Sequence, residues 1–165
     1  MAKRLDLSTI GIKFGWACET TAGTQPTAFK WIQRCKAIDG IALSVDNIDV
    51  TALEDEFRKY VAGLKDTGGT WSLTFSNTDA FQDDWNEMKD AAKVAYDKGL
   101  ATWAEVYIPG MTKACFVTIQ PGEIPLGDVS VGSALEVAVS NIINEYKGWL
   151  TAAEPTYTEA SGTEH

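Results

Sequence analysis

The sequence predicts a mainly β protein of the α+β class, a two-sheet β-sandwich or barrel with one helix on its flank. Several short runs alternate between large apolar and small polar residues, the period of a half-buried strand. One later stretch repeats its apolar residues every three or four positions, as an amphipathic helix does. At 165 residues the chain is long enough for one domain with a substantial core.

The alternating runs predict five to seven short strands. The clearest run covers residues 70–76, where Trp71, Leu73 and Phe75 alternate with serine and threonine. Pro109-Gly110 is a turn signal between two further runs, which predicts a hairpin. In chain order, the candidate strands cover residues 10–17, 29–36, 38–45, 70–76, 100–108, 112–120 and 133–143.

The helix is predicted over residues 79–98. Asp79, with Gln82 three residues later, has the spacing of a capping box at the helix start. Gly99 marks the end, because glycine adopts a positive φ without steric cost. The apolar stripe consists of Phe81, Trp85, Met88, Ala92 and Tyr96.

The composition argues against several functions. A net charge of −9 disfavours nucleic-acid binding, which needs clustered lysine and arginine. The only histidine is His165, the last residue, so a positioned Ser-His or Cys-His pair is not expected. Cys18, Cys35 and Cys115 are too scattered for a disulfide framework or a zinc site, and free thiols are favoured over one pair. We therefore predict no enzymatic activity, no metal and no cofactor.

No apolar stretch is long enough to cross a bilayer. The basic start of the chain is not followed by the unbroken apolar region of a secretory signal. We therefore expect no membrane partner, and folding in the cytoplasm where the protein is made.

A long polar connection over about residues 46–68 is the most unusual feature. It holds six acids and three bases, but it lacks the alternating oxygen ligands and central glycine of a calcium loop. It is also too apolar for a solvated linker, so its apolar side chains must bury against another surface, such as a second copy of the chain. Those residues are Leu53, Phe57, Tyr60, Val61 and Leu64.

The chain resembles the major tail tube protein of long-tailed bacteriophages. The likeness rests on Asp49-Val50-Thr51, then Lys59-Tyr60, Gly63-Leu64 and the run from Asp66 to Trp71, followed by a strand and a helix. It covers about residues 8–149. It implies a single tail-tube domain over residues 1–150, with residues 151–165 as a polar acidic tail.

The resemblance also implies what the protein does. Tail tube subunits form hexameric rings that stack into a tube, and one sheet of each subunit helps to line a ring-shaped β-barrel. The lumen conducts viral DNA without binding it specifically. The implied partners are other copies of the chain, a tail-tip initiator, a terminator and a tape measure protein, all in the virion tail.

Two sets of site residues follow from this expectation. A smooth face of short side chains suits a channel wall, and the candidate lumen residues are Ser44, Thr70, Ser72, Thr74, Glu136, Ala138 and Ser140. The long connection is the expected assembly loop between subunits or rings, with Leu53, Phe57, Arg58, Tyr60 and Leu64 as candidate contacts. The alternative from another class is a monomeric β-sandwich module that binds carbohydrate through exposed tryptophans.

Overall fold

The computed structural model describes residues 10–158, which form nine strands and one helix. The strands are β1 (Lys13–Cys18), β2 (Lys30–Ile32), β3 (Cys35–Ile38), β4 (Ser44–Asp49), β5 (Tyr60–Asp66), β6 (Thr70–Ser76), β7 (Thr102–Tyr107), β8 (Lys113–Gln120) and β9 (Glu136–Thr151). The helix α1 (Asp79–Asp97) lies between β6 and β7. The predicted mainly β class with one helix is confirmed.

Seven of these strands form one antiparallel sheet in the order β2-β1-β7-β8-β9-β6-β3. Its edge strands, β2 and β3, are separated in sequence only by Gln33 and Arg34. Three Cα–Cα steps span at most about 11 Å, whereas the edges of a flat seven-stranded sheet lie about 29 Å apart. The sheet must therefore curl until its edges approach each other, which gives it an inner and an outer face.

The main core fills the inner face and is rich in aromatic residues. Phe14 from β1 and Phe75 from β6 meet edge-on with their ring centroids 5.9 Å apart. Helix α1 closes this side, because Phe81 stacks on Phe75 at 4.8 Å and Trp85 lies 5.6 Å from Phe75. The indole N–H of Trp85 donates to the carbonyl of Gly122, so the buried ring also satisfies its polar atom.

Helix α1 begins at Asp79 as predicted, but its N-cap lies one residue before the predicted capping box. Its N-cap is Thr78, whose hydroxyl accepts the N–H of Phe81 at 3.2 Å. The predicted stop is confirmed, because Gly99 has a φ of 75° directly after the C-cap. The predicted burial of Tyr96 is wrong: it is exposed and Ala95 is buried instead, since a step of three from Ala92 keeps to the inward stripe.

Two strand assignments from the sequence are wrong. The predicted strand over residues 38–45 is interrupted, because β3 ends at Ile38 and a new strand begins only at Ser44. The predicted long loop at 46–68 is instead mostly the antiparallel hairpin of β4 and β5, with Ile48 opposite Val61. Its β-branched residues favour extended strands, and this preference outweighs the tendency of the acidic stretch to form turns.

Candidate assembly surfaces

A continuous face of short side chains covers β6 and the first half of β9 on the outside of the sheet. Ser72 lies opposite Ser140, and Thr74 lies opposite Ala138. The residues between them, such as Leu73, point inward and are fully buried. The structure thus brings six of the predicted wall residues to one face: Thr70, Ser72, Thr74, Glu136, Ala138 and Ser140. We call it the small-residue face.

Ser44 does not belong to this face. It lies in β4, outside the main sheet, and pairs with Asp66 of β5. The cause is the break after Ile38, which separates Ser44 from the alternation of the sheet. Conversely, Ser76 and Ile142 do share the small-residue face, and continuing the same alternation by one step at each end would have found them.

The β4–β5 hairpin, residues 44–66, is a second surface. Side chains on both of its faces are exposed, so the ribbon stands away from the main core. Leu53 is fully exposed and Phe57 is 80% exposed. A two-stranded ribbon is at best marginally stable by itself, and exposed apolar side chains of this size mark a contact surface. The other predicted loop residues Arg58, Tyr60 and Leu64 lie on the same hairpin and are also exposed.

The acids of the hairpin organise its turn. The hydroxyl and N–H of Thr51 hold the pKa of Asp49 below its ordinary value. The N–H of Ala52 and the ammonium of Lys59 do the same for Asp55, the latter at 2.9 Å. Among residues 10–158, no group of three or more acidic, cysteine or histidine side chains could hold a metal ion. The local role of these carboxylates is therefore turn formation.

The segment after β9, residues 152–156, packs on the outer face over β1, β2 and β7. The N–H of Ala153 donates to Glu105 Oε2 at 2.9 Å, and Thr156 exchanges backbone hydrogen bonds with the β2 region. Pro155 lies so close to Gly15 that an added Cβ there would be 2.7 Å from the ring. This contact explains the glycine in β1.

Glu105 is fully buried under this segment, and its Oε1 has no hydrogen-bond partner among the described residues. On either side it faces Gly15 of β1 and Phe116 of β8, neither of which carries a charge. Burial therefore raises the pKa of Glu105 to about 7, against the smaller opposing effect of the Ala153 N–H.

The tryptophans offer little exposed aromatic surface. Trp71, Trp85 and Trp103 are almost completely buried. Trp103 donates its N–H to the buried carboxylate of Glu19 at 2.9 Å. Trp149 is the most exposed tryptophan of the described chain, at 46%. A stacked sugar would thus meet one indole, not an aromatic platform.

An open groove of about 500 Å³ lies between the second half of α1 and the end of β8. Its charged lining includes Lys89, which is paired with Glu123 at 2.5 Å, together with Lys93 and Asp90. It contains no cysteine, serine or histidine.

The three cysteines are free thiols outside this groove, and burial raises the pKa of Cys35 to about 11. No described helix is long and apolar enough to cross a membrane.

No protein-family model and no curated protein matches the chain. Among solved structures, a chain of the six-fold symmetrised anti-feeding prophage baseplate matches with a TM-score of 0.55 and 10% identity, covering 92% of this chain and 97% of its own. The tail of an empty gene transfer agent particle gives a TM-score of 0.48 at 18% identity, covering 86% and 94%. The native gene transfer agent virion gives 0.45 at 18%, covering 76% and 89%. The baseplate match confirms the resemblance to phage tail-type proteins at the level of the fold.

Proposed function

We propose that the protein is a structural subunit of a phage tail tube, or of a similar tube in a tail-like particle. In this proposal it assembles into stacked hexameric rings, and their lumen conducts viral DNA. The observation that carries the proposal is the β4–β5 hairpin, which exposes large apolar side chains, is open to solvent on both faces and is unsupported by the core. The similarity of the fold to a chain of a six-fold symmetrised baseplate supports the same kind of assembly.

The small-residue face is the proposed wall of the lumen. Apart from Ile142 and Glu136 its side chains are short, and Glu136 is its only charged residue in the paired region of β6 and β9. A wall without long basic side chains cannot form ion pairs with phosphate. One acidic group per subunit repels DNA over about 8 Å at physiological salt, which keeps the polymer from adhering.

Ring formation needs an interface that closes. β3 lies at an edge of the sheet and pairs only with β6 among the described strands, and in this proposal ring closure uses this edge. Pairing it around a ring would remove an exposed edge that is a liability in a monomer. Many modest contacts repeated in this way add up to a stable assembly.

The proposed partners follow from this role. They are other copies of the chain, a tail-tip initiator, a terminator and a tape measure protein in the lumen. The protein would act in the virion tail after assembly in the host cytoplasm, without a cofactor and without performing chemistry on the DNA.

Self-assembly tests the proposal. The purified protein, concentrated alone or with an initiator complex, should give rings or tubes of uniform width by size-exclusion chromatography and negative-stain imaging. A protein that stays monomeric under all these conditions and binds glycans through Trp149 would contradict it and would support a carbohydrate-binding module.

The charge of the wall gives a separate prediction. Glu136→Lys should still permit tube formation, because this side chain is exposed in the subunit. It should slow or stall DNA ejection most strongly at low salt, since a ring of cations attracts phosphate and salt screens that attraction. Ejection kinetics of virions carrying the variant, measured across a salt series, provide the test.

Glu136→Gln is the matched control, because it removes the acid without adding a cation. It should eject like the wild type or slightly slower. Wild-type kinetics for Glu136→Lys at every ionic strength would refute the assignment of Glu136 to the lumen.

A further inference from the structure

The segment that follows β9 crosses the outer face of the sheet and ends at an edge strand. Residues 152–156, which we call the crossing segment, run from the end of β9 over β7 and β1 to β2. There the N–H of Trp31 donates to the carbonyl of Thr156 at 2.8 Å, and the N–H of Thr156 donates to the carbonyl of Phe29 at 3.0 Å. Because β1 pairs with the other side of β2, the crossing segment covers the outer edge of the sheet.

Few contacts hold the crossing segment in place. Two of its alanines pack on the outer apolar cluster, and Pro155 fits over Gly15. Glu154 forms an ion pair with Lys13 at 2.9 Å, but its side chain is 61% exposed. An exposed ion pair and a hydrogen bond at a sheet edge each contribute little net stability. One charged group beneath the segment can therefore decide whether it stays in place.

That group is Glu105, which is fully buried beneath the crossing segment. Its Oε2 accepts the N–H of Ala153, and its Oε1 has no hydrogen-bond partner among the described residues. A neutral carboxyl tolerates this site, whereas a carboxylate loses its hydration at both oxygens and gains a single hydrogen bond in return. Ionisation of Glu105 therefore favours a position of the segment that admits water.

The charged side chains on the elements around Glu105 already have partners. The pairs are Lys13 with Glu154, Lys147 with Glu145, and Glu19 with the indole N–H of Trp103. Across the sheet, Glu105 lies between Gly15 and Phe116, and the titratable neighbour on its own face of β7 is the phenol of Tyr107. Burial, opposed by the N–H of Ala153, thus controls the ionisation of Glu105.

We propose that the crossing segment is a proton-controlled latch over the edge of β2, closed while Glu105 is protonated and released when Glu105 ionises. On release the proton passes to solvent and water hydrates both carboxylate oxygens. The N–H of Trp31 and the carbonyl of Phe29 then become free at the sheet edge, where a strand of another chain can pair. The inference goes beyond the proposed tube function and does not depend on it, since it concerns the single subunit.

The direction of the pH effect follows from the burial of Glu105. Its pKa is raised from 4.5 to about 7 in the closed form and returns to the ordinary value when the carboxylate is hydrated. The closed form is therefore fully favoured below pH 4.5 and loses this advantage as the pH rises through about 7. Between pH 5 and 8 the ratio of released to closed forms should rise about 50- to 100-fold, because the closed form binds more protons over that range.

Native-state hydrogen exchange of the subunit, kept below its assembly concentration, tests the latch. The amides of Trp31, Ala153 and Thr156 report on release, because the closed segment supplies or uses their hydrogen bonds. The amide of Leu73, which is fully buried in β6, reports on global unfolding. In the wild type, protection of the three reporters should fall about 50- to 100-fold from pH 5 to 8, after correction for intrinsic exchange rates. Leu73 should stay at least about tenfold better protected at each pH, because release leaves the sheet folded.

Two variants separate the effect of the proton from that of the contacts. Glu105→Gln keeps an acceptor for the N–H of Ala153 but cannot ionise, so its reporter amides should be equally protected at pH 5 and 8. Glu154→Gln is the matched control, because it removes the ion pair with Lys13 from the segment itself. It should lower protection of the reporters to the same extent at both pH values and keep the pH dependence of the wild type.

Reporter amides that are protected as well as Leu73 at every pH would overturn the inference, because the segment would then open only with the whole fold. Protection that does not change with pH in the wild type, or that changes equally in Glu105→Gln, would overturn it as well. None of these results bears on ring or tube formation, which the assembly experiments decide separately.

Discussion

Replacement of residues 53–64 by a Gly/Ser linker is expected to give a folded subunit that no longer polymerises. Within residues 10–158 the hairpin pairs only with itself, and its apolar side chains lie outside the buried clusters. Removing it therefore costs the core little, and the closure entropy of a flexible loop depends only weakly on its length. Circular dichroism melting should be close to that of the wild type, and negative-stain images should show no rings or tubes.

A point variant sharpens this experiment. Leu53→Asp with Phe57→Asp keeps the backbone of the hairpin but places two carboxylates on its exposed apolar surface. It should abolish assembly as the linker does, whereas Val94→Asp, at an exposed position of helix α1, should not. If the linker variant unfolds outright, the hairpin belongs to the core of its own subunit and the assembly role is wrong.

Glu105→Gln is expected to stabilise the protein at pH 8 by about 1–3 kcal/mol. The pKa of Glu105 is raised to about 7 in the folded state from 4.5, so the folded state holds a proton that the unfolded chain releases. The resulting stability is fully present below pH 4.5 and is lost as the pH rises through about 7. Each unit of pKa difference is worth about 1.4 kcal/mol. The neutral amide keeps an acceptor for the Ala153 N–H and removes the buried charge.

Urea denaturation at several pH values between 5 and 8 measures this effect. The free energy of unfolding of the wild type should decline over that interval, and the decline should be smaller by the Glu105 contribution in the variant. Glu56→Gln makes the same chemical change at an exposed hairpin carboxylate. It should change neither the free energy of unfolding nor the decline of that energy between pH 5 and 8. If the free energy of unfolding declines equally with pH in Glu105→Gln and in the wild type, Glu105 is ionised in the folded protein at pH 5.

The sequence predicted well those elements in which one face is strictly apolar. β6 matches its predicted bounds, because Trp71, Leu73 and Phe75 leave only one register in which the core is buried. Helix α1 was found for the same reason. The hairpin was missed because neither of its faces is buried in the subunit, so its sequence lacks the alternation that reveals a strand.

The residues of the candidate surfaces were likewise predicted well only where the opposite face of the strand is strictly apolar. Six wall residues were placed correctly on one face by alternation in β6 and β9, although their position in a lumen stays a prediction. Ser44 was misplaced because the apparent alternation over residues 38–45 was followed across the Asp39-Gly40 turn signal, where the strand in fact ends. The burial of Glu105 depends on residues 152–156 folding back over β7, a long-range contact that no local pattern indicates.

Cryo-electron microscopy of the assembled wild-type protein would show directly which face of the subunit lines the tube. We expect a hollow tube of stacked six-fold rings, with Thr74, Ala138 and Glu136 lining the lumen and each hairpin contacting the next ring. A tube with the small-residue face on its outer surface, or a protein that remains monomeric under every assembly condition, would contradict it.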